Sequence, residues 1–310
     1  MKTDFKTITM ICILGVLYLI PIVSAQQVQK YIVIDQFGYR PSDTKVAVIA
    51  DPQVGFNSTD FFIPGNVYQV RRKSDNTIQY QGSPVQWNSG STHFQSGDRG
   101  WWFEFTPVRD TGEFYVYDTV NKVRSYYFKI APDIYKDILK AACKMYYYQR
   151  LNIAHPTQYA GTIWADGFSL AADTAAGDIQ DQTNPAKIKD MSKGWMDAGD
   201  INKYVTYAVS PVHQLLTAYS LNSEVFTDDF NIPESGNGIP DILDEVKWEL
   251  DWVMHMQDTT DGGTYIKVSH NNSASYISPL SLDTQPRFYF TPKSSAATID
   301  AASMLAHAAL

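Results

Sequence analysis

The sequence predicts a multidomain chain in which an all-β sandwich precedes an all-α region. Three observations lead there. Up to about residue 131, apolar and aromatic residues fall in short runs, several with period-two alternation. Asn, Asp, Gly and Ser clusters separate those runs. From Pro132 onward the apolar spacing changes to that of a helix, and the remaining chain is long helical segments joined by long loops.

The first element is a targeting segment. Lys2 and Lys6 supply a positive start, "ITMICILGVLYLI" an apolar stretch, and Val23 and Ala25 the small residues of a cleavage site. The expectation is a signal peptide over 1–25, cleavage after Ala25, and a secreted (extracellular or periplasmic) product. The apolar run is shorter than the roughly 20 residues a membrane span needs. Cys12 would leave with the signal, so Cys143 would remain alone, without an internal disulfide.

Over 28–131 the runs "YIVIDQFGY", "KVAVIAD", "NVYQVRRK", "TIQYQG", "GWWFEFTPV", "GEFYVYD" and "VRSYYFKI" read as about seven strands. That number over roughly 100 residues is the pattern of an immunoglobulin-like sandwich. Asp110, Gly112 and Tyr115 resemble a tyrosine corner. Over 132–310, "DIYKDILKAACKMYYYQR" and "INKYVTYAVSPVHQLLTAYSL" read as helices, the second with Pro211 as a kink or break. "GIPDILDEVKWELDWVMHMQ" opens with Pro240 in its first turn, and "SSAATIDAASMLAHAAL" starts at Ser295 as its cap. The long loops 152–192 and 259–292 are expected to carry function.

Charge and composition narrow the function. A formal net charge of −8 with no basic run excludes an electrostatic footprint for nucleic acid or an anionic membrane. Uncharged substrates fit better. The 20 Tyr, 15 Phe and 7 Trp are more than a core of this size needs. Most are packing residues, and a surplus is what a sugar-binding surface shows, since aromatic faces stack on the C–H faces of pyranose rings.

"GWMDAGDINKYV" (194–205) places two aspartates three residues apart around an Ala-Gly pair. Two readings of its aspartates stand. Asp200 caps the following helix, or Asp197 and Asp200 together hold a water molecule for deprotonation. In the second reading one carboxylate is the base and the other orients the water. The acid of an inverting glycoside hydrolysis, roughly 6.5–9.5 Å away, must then come from elsewhere.

"GWMDAGDINKYV", "ESGNGIPDILDEVKWELDWVMHMQ", "DGGTYIKV" and "PKSSAATIDAASMLAHAA" together resemble glycoside hydrolase family 9, the cellulase family. "YIVIDQFGYRPSDTKVAVIADP" resembles the immunoglobulin-like domain that opens one branch of it. The resemblance covers nearly the whole chain after the signal. It implies an (α/α)6 barrel, of which 132–310 would be the N-terminal part, and inverting hydrolysis of β-1,4-glucan. It also implies Asp200 as catalytic base and Asp197 as the aspartate that helps hold the water. The implied acid is a glutamate in a region the chain stops before, so the chain is expected to be truncated and inactive, or nearly so, alone. Glu234, Glu245 and Glu249 are read instead as carboxylates favoured near a helix start. Two alternatives accompany this reading: an exo-acting glucosidase or glucosaminidase of the same family, and a glucan-binding fragment without turnover.

Many relatives hold a structural zinc. Here Leu151 stands where a Cys ligand is sought, "WADGFSLAAD" lacks a Cys-His pair, and His155 alone makes no four-ligand site, so no zinc is expected. Asp228, Asp229, Asn231, Glu234, Asn237 and Asp241 gather hard oxygen ligands in one loop. That loop is either a solvated lead into a helix or a calcium site, and no ligand set is assigned. No cofactor is expected to be required. Trp164, His270, Tyr276 and Arg287, in the long loops, are the candidates for contact with a β-glucan or cello-oligosaccharide. Trp195 is expected to be a buried anchor of the "DAGD" loop.

Overall fold

The computed structural model describes residues 26–271 and 277–310, and it divides into two compact units, one ending at Ile134 and one spanning Tyr135–Leu310. The signal-peptide expectation and Tyr276 lie outside the described residues. No described helix is long and apolar enough to cross a membrane.

The first unit is a sandwich of two antiparallel sheets. One contains β1 (Ile32–Val33), β2 (Val46–Pro52), β6 (Asp98–Glu104) and β5 (Val85–Gln86) in the order β1-β2-β6-β5. The other orders β4 (Ile78–Gly82), β3 (Tyr68–Arg72), β7 (Gly112–Asp118) and β8 (Val123–Arg124), with β9 (Phe128–Ile130) also on β7. Alternation decides which side chains are buried. Ala47, Ile49, Val70, Phe103, Phe114, Val116 and Phe128 face the core, while Val48 and Trp102 face out. Tyr39 stands edge-on to Phe105 and Phe128 at 5.4 and 5.5 Å, so much of the aromatic surplus here is packing. The tyrosine corner does not form. Tyr115 donates its hydroxyl to the Asn76 side chain, 2.8 Å away, rather than to backbone a few residues upstream.

The second unit has α1 (Lys136–Gln149), α2 (Thr157–Trp164), α3 (Val205–Leu221), α4 (Asp241–His255) and α5 (Ser295–Ala308). Val205, Val212, Leu215, Val246, Trp252, Val253, Ala301 and Met304 join one core across α3, α4 and α5. Cys143 is buried and free. Pro211 lies inside α3, and the helix is assigned as continuous through it. Its missing N–H leaves the Tyr207 carbonyl without its i+4 donor. The cap of α5 is Ser294, whose hydroxyl accepts from the Ala297 amide at 3.0 Å, one residue before the expected Ser295.

The long loops are less irregular than their composition suggests. They contain α2 and, with the segment before α3, a small sheet. Its order is β10-β13-β12-β11, built from β10 (Gly177–Asp178), β13 (Arg287–Tyr289), β12 (Lys267–His270) and β11 (Lys203–Tyr204). Each strand has two to four residues, too few for a period to register in sequence. This sheet sets the position of the "DAGD" segment, because β11 follows it directly.

Candidate active site

The "GWMDAGD" segment, residues 194–200, is tied by backbone hydrogen bonds to the end of α1 and leads into β11. The Leu151 amide donates to the Gly194 carbonyl and the Met196 amide to the Gln149 carbonyl, each at 2.9 Å. Beneath the loop, the Trp195 amide donates to Glu249 Oε2 at 2.6 Å, and the Trp195 ring lies 4.7 Å from Tyr146. Trp195 is the buried anchor expected of it.

Asp200 does not cap the helix. It lies in a turn closed by the Ile201 amide on the Ala198 carbonyl, whereas α3 begins at Val205 with Tyr204 as its cap and no side-chain cap bond. Its carboxylate instead accepts from Asn202 Nδ2 at 2.6 Å. Asp197, whose amide bonds the Asn202 carbonyl at 2.9 Å, turns its own carboxyl toward Asp200. Burial of that carboxyl first, and then the charge and hydrogen bond of Asp200, push it up to about 6. The residue as a whole stays exposed, on a cavity of about 700 Å³. Tyr146, Trp195, Tyr204, Tyr207 and Glu249 line the same cavity. Tyr204 and Tyr207 stand ring to ring at 4.7 Å, an aromatic wall beside a carboxylate pair. A neighbouring groove of about 370 Å³ shares Met196 and Gly199 with the cavity and carries Trp164, which is exposed.

The structure therefore brings Asp197 and Asp200 together and puts Trp164 alongside. His270 and Arg287 it places elsewhere. Both are buried and neither lines the cavity. His270 faces Asp283 at 3.2 Å, and burial lowers its pKa. Arg287 Nε donates to Asp173 at 2.7 Å and Nη2 to the Ile201 carbonyl at 3.0 Å, so its guanidinium is engaged by protein.

The glutamates are not the helix-start decoration their sequence positions suggested. Glu245 is buried against Arg150 Nε at 3.0 Å, Glu234 takes Arg150 Nη1 at 2.9 Å, and Glu249 is buried beneath the loop. Burial pushes Glu245 up to about 7 and Glu249 up to about 8. Sequence reasoning missed Arg150, Asp173, Lys203 and Glu249 as parts of this region. The available signal was a charge inside each helical or strand stripe, at Glu245, Glu249 and Lys203.

In the acidic loop, most side chains are committed to protein partners. Asp229 pairs with Lys140, Glu234 with Arg150, and Asn237 Nδ2 with Asp244. Asp228 accepts the Gly236 and Gly238 amides at 2.6 Å each. Asp241 Oδ2 accepts from the Phe230 amide and Ser235, and its Oδ1 is buried without a hydrogen-bond partner. Burial raises the Asp241 carboxyl, and Asp228 adds to the shift. Leu151 is buried, and His155 Nε2 lies 2.9 Å from the Tyr147 carbonyl. Among the described residues no three His, Cys, Asp or Glu side chains are grouped to hold a metal.

The chain is similar to known proteins over both of its units. Residues 135–310 match the family model for glycosyl hydrolase family 9, and residues 27–123 match that of the cellulase N-terminal ig-like domain. Endoglucanase D of Acetivibrio thermocellus is 33% identical over 290 residues, covering 91% of this chain and 42% of that protein. The xyloglucan-specific endo-beta-1,4-glucanase BoGH9A of Bacteroides ovatus is 29% identical, over 88% of this chain and 44% of its own length. The chain thus spans less than half the length of these curated relatives. A metagenome-derived family 9 endoglucanase of known structure superposes with a TM-score of 0.74 at 32% identity, over 90% of this chain and 49% of that one. The fold is an immunoglobulin-like sandwich followed by the N-terminal part of an α/α barrel, and the chain belongs to glycosyl hydrolase family 9.

Proposed function

We propose that the protein takes part in hydrolysis of β-1,4-glucan with inversion, Asp200 deprotonating the attacking water and Asp197 orienting it. The observation that carries this reading is the close approach of the Asp197 and Asp200 carboxyls, with Asp197 lining an aromatic cavity of about 700 Å³. Burial and the neighbouring Asp200 charge push the Asp197 carboxyl up to about 6, so a proton is held at Asp197 more readily than by an ordinary aspartate. Tyr204, Tyr207 and Trp164 offer flat faces for pyranose rings along the cavity and its adjoining groove. The endoglucanase relatives support a β-1,4-glucan as the partner. Secretion belongs to the same proposal, since a polymeric glucan is met outside the cell.

The leaving oxygen needs a separate acid on the far side of the sugar. Glu234 and Glu245 are held by Arg150, and Glu249 lies beneath the loop on the Trp195 amide, so none of them is assigned that role. Calcium is proposed at Asp228 and Asp241, where two facing carboxylates and a partnerless buried oxygen suit a hard cation. Zinc forms no part of the proposal.

The test is hydrolysis of a soluble β-glucan by a full-length protein that includes the region supplying the acid, and by its Asp200→Ala variant. Loss of a general base lowers kcat by about 10²–10⁴-fold. An undiminished variant refutes the assignment. Product profiles on cello-oligosaccharides separate internal cleavage from release of terminal units. Binding without turnover would instead favour a glucan-binding role.

A further inference from the structure

Three buried charges lie where the catalytic loop enters and leaves. Asp173 is fully buried and accepts from Arg287 Nε at 2.7 Å through Oδ1, while its Oδ2 lies 2.8 Å from Lys203 Nζ. The small sheet explains why both cations reach it. Lys203 of β11 stands opposite Val268 of β12, which stands opposite Tyr289 of β13, and Arg287 is two residues from Tyr289. Opposed residues share a face and so do residues two apart, hence Lys203 and Arg287 project from one face of the sheet.

Each cation also grips loop backbone. Lys203 Nζ donates to the Met191 and Lys193 carbonyls, both at 2.7 Å, just upstream of "GWMDAGD". Arg287 Nη2 donates to the carbonyl of Ile201, the residue after Asp200, at 3.0 Å. Ile201 has φ of 55°, a left-handed conformation that a β-branched residue adopts only when its surroundings enforce it. That reversal ends the turn on which Asp200 sits.

We propose that Asp173, Lys203 and Arg287 are positioning residues for the reaction assigned above, clamping both ends of the catalytic loop so that Asp200 faces Asp197. The inference rests on that functional reading for its consequence in turnover, but its structural claim is separate. A purely structural ion cluster would support the fold without governing the geometry of the pair.

The decisive variant is Arg287→Lys. Lysine keeps the charge beside Asp173, but a single ammonium cannot reproduce the guanidinium fork that reaches Asp173 and the Ile201 carbonyl together. Expected results are a kcat lower by about 10- to 100-fold with KM within about threefold, the signature of a misplaced catalytic group. In a carboxyl-carbon NMR titration, the Asp197 midpoint should fall below about 6 as the pair separates, since the Asp200 charge and hydrogen bond are lost while the contribution of burial stays.

Ile201→Pro is the second variant, for the case in which Arg287→Lys does not fold. Proline can neither take the left-handed turn nor donate the amide that closes it on the Ala198 carbonyl, and it alters none of the three charged side chains. It should show the same loss of kcat and the same fall of the Asp197 midpoint. A folded variant of either kind with wild-type kcat and an unmoved midpoint overturns the proposal. A full-length protein, carrying the acid, that hydrolyses no β-glucan sinks the functional reading instead, and the titration then judges the clamp alone.

Discussion

Gly194 opens the "GWMDAGD" loop at φ of 84°, and a Cβ built there would lie 2.8 Å from Cγ and Cδ2 of Trp252 and 3.1 Å from Cδ of Lys203. Gly194→Ala therefore carries two costs. The left-handed backbone costs an L-residue roughly 1–2 kcal/mol. Forcing a methyl into a packed core costs typically about 1–3 kcal/mol more. Trp252 is fully buried and cannot swing aside, and Lys203 is held by three backbone or side-chain oxygens besides Asp173. The expected total is about 2–5 kcal/mol, which for a unit of this size lowers Tm by roughly 4–20 °C. The matched control is Gly199→Ala, five residues along in the same loop, where a Cβ meets nothing within 4 Å and φ is not left-handed. That change should stay within about 0.5 kcal/mol. Urea denaturation of both variants, followed by tryptophan fluorescence, measures the difference. Equal costs at the two glycines, or a Gly194→Ala loss below about 1 kcal/mol, would refute the packing argument.

Two further expectations follow from buried carboxyls. Glu249 is protonated in the folded protein up to about pH 8, whereas in the unfolded chain it ionises near 4.5. Its folded pKa is raised, so its contribution to stability is fully present below 4.5 and is lost as pH climbs through about 8. Glu249→Gln should flatten that decline in a series of urea melts, leaving the similar but smaller fall due to Glu245; an unchanged pH slope would show that Glu249 is not the group responsible. At the Asp228–Asp241 pair, calcium at a hundredfold excess over Kd should stabilise by roughly 2.7 kcal/mol. Asp241→Asn keeps the acceptor for the Phe230 amide but should abolish the calcium shift in Tm, and a variant that responds like wild type would place the ion elsewhere.

Much of the architecture was legible because periodicity is a local property. "VAVIADP" and "GEFYVYD" are short runs of β-branched and aromatic residues, and β2 and β7 lie over them; Val246, Leu250 and Val253 recur at helical spacing, and α4 buries all three. The boundary of α3 was not legible. Asp200 resembles a cap in sequence, but the left-handed Ile201 and the pairing of Lys203 with Val268 hold the chain extended until Tyr204. Nor could local pattern reveal the small sheet, since strands of two to four residues contain no measurable period.

The same division runs through the site. By itself the sequence determined the family, the placing of two aspartates three apart in one loop, and the change from β to helical spacing near residue 132. Only the tertiary structure decided that the Asp197 and Asp200 carboxyls approach one another, that Arg287 is buried on Asp173 and the Ile201 carbonyl, and that Glu249 accepts the Trp195 amide beneath the loop. The reason is physical. A charged side chain has no preferred neighbour along the chain, and its burial depends on partners more than 50 residues away, as with Glu249 and Trp195 or Arg287 and Asp173. Those partners meet only when the helices and the small sheet pack.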